Sequence, residues 1–104
     1  MKAIRCKNRI FIVDNVTSIS FCSLPEDKHG NNIWFYCDGI RVNLKMYFHD
    51  DDDADSFCEY LIECLYDDLF FKKSKLMHVD LWDYSRDALS EFYLEKEKME
   101  KEND

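Results

Sequence analysis

Asp38-Gly39 stands directly before a run in which apolar and polar residues alternate strictly: Ile40, Val42, Leu44, Met46 and Phe48 against Arg41, Asn43, Lys45 and Tyr47. This pairing constrains the fold more than any other feature of the chain. Period-two alternation requires a strand with one buried face. Asp-Gly supplies the two positive-φ positions of a type I′ turn. A hairpin closed there sets Cys37 against Ile40, Phe35 against Val42 and Ile33 against Leu44 on the inner face. Outside, Tyr36 meets Arg41 and Trp34 meets Asn43.

Upstream, 9–13 and 16–23 read as two shorter strands joined by turn chemistry at Asp14-Asn15. Leu24 to Asn32, with the chain's one Pro and one of its two Gly, reads as a loop. A meander of about four antiparallel strands is not stable until its apolar face is covered. The cover follows in sequence. Asp50 to Asp53 offers N-caps that also favour the helix dipole. Beyond them Phe57, Cys58, Leu61, Ile62, Leu65 and Leu69 recur at helical spacing, which predicts a helix ending near Phe70 or Phe71. Lys72-Lys73-Ser74-Lys75 then connects to a short extended piece at 76–79. A second helix is predicted from Asp83 or Ser85 toward Lys101, with Leu81, Ala88, Leu89, Phe92 and Met99 as its apolar positions. The expected class is α+β: a β-meander over 1–49 covered by two C-terminal helices in an acidic part over 50–104, together one domain of 104 residues.

Composition narrows the function. With 46% hydrophobic and 15% aromatic residues the chain has material for a core, so disorder is expected nowhere but at the charged C-terminal end, whose last residues are expected to fray. No apolar run reaches the roughly 20 residues of a membrane helix, and Met1 to Lys7 lacks the apolar stretch of a secretion signal. Five cysteines at 6, 22, 37, 58 and 64 form no C-x-x-C, and an odd number without an export signal predicts reduced thiols in the cytoplasm. His29, His49 and His78 are not spaced with one another or with a Cys as ligands or as a catalytic pair. No phosphate-cradling Gly loop is visible either. The expectation is a protein that is not an enzyme and carries no cofactor.

Charge is distributed unevenly. The net charge of -8 conceals a first part, 1–49, at +3 and a second, 50–104, at -11. Residues 50–68 hold nine acids and no base. Asp55, Glu59, Glu63 and Asp67 follow one another at i, i+4, about 6 Å apart along a helix axis. Like charges so placed cost roughly 0.2–0.5 kcal/mol per pair, a cost that an ordinary solvated helix removes by interleaving Lys. Asp83, Asp87, Glu91 and Glu95 repeat the spacing in the second helix. Two readings stand: a solvated face serving solubility, or a face that meets a cationic partner, with Asp52, Asp55, Glu59, Glu63, Asp67 and Asp68 as its contacts. Metal at Asp50 to Asp53 is disfavoured, because the D-x-D-x-D-G loop and its later Glu are missing. A second candidate surface, Trp34, Tyr36, Arg41, Lys45 and Tyr47 on the outer face of the hairpin, suits a homodimer contact better than nucleic acid, which the acidic half repels. Monomer and homodimer both remain open.

The order Arg9-Ile10, Val13-Asp14-Asn15-Val16 and Ile19, then Asp38-Gly39 before the alternating strand, then an acidic helix, resembles small meander-plus-helix proteins of bacterial and phage genomes over the first two-thirds of the chain. The acidic part is similar in character to small inhibitors encoded by phage and mobile elements, the anti-CRISPR and anti-restriction DNA mimics. The resemblance implies a basic, nucleic-acid-handling protein as partner, in the host cytoplasm if phage-encoded. That class has no common motif, so it assigns no residue here.

Overall fold

The computed structural model describes residues 2–14, 16–25, 31–71 and 77–102. Strand β1 (Lys2–Cys6) turns through Lys7-Asn8 into β2 (Arg9–Val13). One 3-10 turn (Val16–Ser18) leads to β3 (Ile19–Pro25), β4 (Asn31–Cys37) and β5 (Ile40–Asn43). Helix α1 (Asp51–Phe70), strand β6 (His78–Asp80) and helix α2 (Leu81–Glu102) complete the order. The class is α+β with both helices C-terminal, but the strands do not form one meander. They form two three-stranded sheets, β2-β1-β6 and β3-β4-β5.

The hairpin at Asp38-Gly39 matches its expected register. Trp34, Phe35, Tyr36 and Cys37 pair with Asn43, Val42, Arg41 and Ile40, and the Leu44 N–H donates to the Ile33 carbonyl at 2.9 Å. Both turn residues take positive φ, 52° at Asp38 and 76° at Gly39. The strand expected over 40–48 stops at Asn43, however. The Asn43 carboxamide accepts from the Lys45 N–H at 2.7 Å, and Lys45 takes φ 51°, so the chain leaves the ladder there. Beyond this break Met46 is still buried and Phe48 half-buried, so the alternation records burial along an extended segment and not strand pairing.

The larger correction lies at the N-terminus. Residues 9–13 do not pair with the strand that follows them. Their partner is β1, with Ile4 opposite Phe11 and Cys6 opposite Arg9, and β6 adds in parallel on the other side, Ile4 against Val79. Asp14 therefore leads the chain from one sheet to the other, and 16–18, expected to begin a strand, is a 3-10 turn. The expected loop at 24–32 is shortened from both ends by β3 and β4, and its middle, 26–30, lies outside the described residues, as do Lys72 to Leu76.

One core joins these parts. Ile4, Cys6, Phe11 and Val13 of the first sheet are buried. The ring of Phe11 meets Phe35 of the second sheet edge-on at 5.3 Å, and the ring centre of Phe21 lies 5.5 Å from that of Phe35. Helix α1 covers β3 and β4 with Phe57, Leu61, Leu65 and Leu69, each 0% exposed. Burying such a side chain contributes about 1.5–3 kcal/mol. The helix begins as expected, with the Asp50 carboxylate accepting from the Asp52 N–H at 3.2 Å. Helix α2 starts earlier than expected, because Asp80 is its cap and accepts from the N–H groups of Trp82 and Asp83. It packs against α1, β1 and β6. Of its expected apolar positions, Leu81 is fully buried, whereas Met99 is 64% exposed.

Candidate functional site

The i, i+4 spacing does not keep a row straight. Each step of four residues turns about 40° around a helix of 3.6 residues per turn, so Asp55 and Asp67 differ by about 120°. The row accordingly winds across the solvent face of α1. Asp55, Glu59, Glu63 and Asp67 are all exposed, as is Asp52. At the β3 border the Ser23 hydroxyl donates to the Asp55 carboxylate. Further along, Glu59 and Glu63 reach the groove between α1 and α2. Asp68, the sixth expected contact, is set apart: it accepts from the Tyr84 hydroxyl of α2 at 2.5 Å. Burial, together with this bond and the charge of Asp68, holds the Tyr84 hydroxyl above the usual tyrosine range.

The groove forms a cleft of about 520 Å³, with carboxylates from both helices at its walls: Asp52, Glu59 and Glu63 from α1, and Glu95 from α2. Tyr60, Phe92 and Met99 give it aromatic and apolar surface, the Tyr60 and Phe92 rings lying 5.6 Å apart. The one cation in this lining is Lys96, and its ammonium is bound to the buried Asp53, which also accepts from the Tyr93 hydroxyl at 3.1 Å. Hydrogen bonding to Asp53 raises the ammonium's pKa, so it stays charged. Among the described residues, no Lys or Arg makes an ion pair with Asp52, Asp55, Glu59, Glu63, Asp67 or Glu95. The cleft thus presents unmatched carboxylates beside rings, a setting suited to Arg and Lys side chains.

Asp53 is the structural acid of the run. Replacing it with Ala deprives Lys96 and Tyr93 of their shared acceptor. Asp53→Ala is expected to lose about 1–3 kcal/mol of stability in urea denaturation, and Asp53→Asn less, since a carboxamide oxygen still accepts. Asp50, Asp52 and Asp53 point different ways. Asp50 caps α1, Asp52 faces solvent and Asp53 turns inward. Among the described residues, no three Asp, Glu, His or Cys side chains gather as ligands for a metal ion.

The second candidate surface divides. Trp34, Tyr36 and Arg41 do share the outer face of the hairpin, with the Arg41 guanidinium 4.9 Å from the Trp34 ring centre. Lys45 and Tyr47 lie past the strand's end, and Tyr47 lines a hollow with Leu89, Tyr93 and Leu94 of α2. The break at Asn43–Lys45 separates them from the other three. Sequence reasoning missed the contribution of α2 to the groove, although the repeat from Asp87 to Glu95 was its available signal. It also missed Tyr60 and Phe92, which helical periodicity alone assigns to the core.

Within the described residues, no helix is long and apolar enough to cross a membrane. Comparison with known proteins finds no family model, no curated relative and no solved structure that matches this chain.

Proposed function

We propose that the chain is a non-enzymatic binding protein whose acidic α1–α2 surface occupies the basic nucleic-acid-binding groove of a partner protein, inhibiting it by nucleic-acid mimicry as anti-CRISPR-like proteins do. One observation carries this reading: Asp52, Asp55, Glu59, Glu63 and Asp67 share the exposed side of one helix with no Lys or Arg paired to them among the described residues. A solvated helix that serves only solubility has no reason to bear the like-charge cost without interleaved lysines. The step of about 6 Å along α1 is on the scale of a nucleic-acid strand, which carries a charge about every 3.4 Å of axis. Five free thiols agree with a reducing cytoplasm as the place of action.

Mechanistically, Glu59 and Glu63 would accept charge-assisted hydrogen bonds from Arg and Lys of the partner, and the field of the acidic half would steer association. The test begins with capture of the partner by the intact protein and its identification, followed by titration of the pair. Glu59→Lys/Glu63→Lys is expected to weaken binding at least tenfold while leaving the circular dichroism spectrum unchanged. Added DNA or RNA should displace the wild-type protein, and raised salt should slow association. Unchanged affinity in the double variant, or a complex indifferent to nucleic acid, overturns the reading.

A further inference from the structure

Strand β2 is an edge strand with no neighbour on its outer side among the described residues, since its sheet runs β2-β1-β6. The two-residue turn at Lys7-Asn8 makes Cys6 and Arg9 the closing hydrogen-bonded pair, so the backbone groups of Arg9, Phe11 and Val13 face β1. Those of Ile10 and Ile12 face outward, and among the described residues no hydrogen bond reaches them. The same two side chains are 65% and 51% exposed. Edge strands are ordinarily protected by a charge, a proline or a bulge within the strand. In β2 the one charge is Arg9, at its first position, and Ile10 to Val13 hold no such device.

We infer that β2 is the docking edge for a second copy of this chain, paired antiparallel about a two-fold axis at Phe11. The ends of the strand argue for this occupant. Lys7 precedes its start, Arg9 opens it and Asp14 follows its end, all three exposed. Antiparallel self-pairing lays the basic start of one copy beside the acidic end of the other, twice over. Of the registers that keep equivalent faces together, the one centred on Phe11 places Ile10 opposite Ile12 of the second copy and so brings all four isoleucines into contact. Those are the residues whose N–H and C=O groups point outward, so the backbone and side-chain requirements select the same pairing. The product is a continuous six-stranded sheet, three strands from each copy, with the four isoleucines clustered on one face beside Ala3, the cross-strand neighbour of Ile12. The α1–α2 groove takes no part in it, so the inference does not depend on the proposed function.

Light scattering and hydrogen exchange across a dilution series test it. The intact protein is expected to show twice its 12.6 kDa chain mass when concentrated. The Ile10 and Ile12 amides should then be protected, and both signs should be lost on dilution. Phe11 and Val13 should stay protected throughout, because their partner is β1. Ile10→Lys/Ile12→Lys, at two exposed positions, should give a folded monomer. Asp14→Arg should weaken the dimer and Arg9→Asp/Asp14→Arg should restore it. A monomer at every concentration overturns the inference, as does a dimer that survives the double lysine variant or leaves the Ile10 and Ile12 amides exchanging freely.

Discussion

Phe35→Ala is expected to destabilise the protein by about 3–5 kcal/mol, a large share of the roughly 5–15 kcal/mol that holds a small domain folded. Phe35 is fully buried, and its ring meets Phe11 of the first sheet as well as Phe21 of its own. Deleting it opens a cavity at the junction of both sheets, where neighbours fixed in separate ladders have little freedom to close in. Urea denaturation followed by far-ultraviolet circular dichroism would measure the loss. Phe35→Leu, which keeps most of the volume, should cost less. A cost for Phe35→Ala well under 1 kcal/mol would mean that the sheets are held together by something other than this stack.

Alkali should unfold the protein through its thiols and tyrosines. Burial pushes the Cys58 thiol up from 9.0 to about 12, with negative charge from Cys22, Asp55 and Glu59 adding to the effect. Between those values the folded chain keeps a proton that the unfolded chain has released. Stability from this group is therefore complete below about pH 9 and falls by about 1.4 kcal/mol per pH unit until about pH 12. Tyr60 acts in the same direction, raised from 10.0 to about 12 first by burial and then by nearby Cys64 and Glu95. Urea midpoints measured from about pH 8 to about 11 should decline, and Cys58→Ala should decline less steeply over the first part of that range. A flat profile would contradict the burial assigned to Cys58, which is 9% exposed.

The parts of this fold legible in the sequence are those whose causes are local. Asp38-Gly39 determines a turn by backbone sterics, and the turn determines a register. Asp50 and the Phe57-to-Leu69 spacing determine where α1 begins and which side it buries. What failed was non-local. Lys2–Cys6 carries only Ile4 and Cys6 toward the core, too brief an alternation to announce a strand. Its turn puts positive φ, 56°, on Lys7, a residue with no turn signature. Asp14-Asn15 has that signature, yet past Asp14 the chain changes sheets. The site shows the same division. The acids of α1 were readable one by one, and the exposed ones are exposed as expected. Their winding, the diversion of Asp68 to Tyr84 and the partnership with Glu95 follow from where α2 lies, which no single stretch of residues encodes.

The parallel pairing of β1 with β6 has a consequence for biosynthesis. Strand β1 is made before its neighbour at His78–Asp80, which follows only after β2 to β5 and α1. Until then a nascent chain holds the β1–β2 hairpin as an incomplete sheet, and α2, which packs against β1 and β6, has not been translated. Closure of the first sheet therefore waits until β6 has been made, and the β1–β2 hairpin stays one strand short while β3 to β5 and α1 are built.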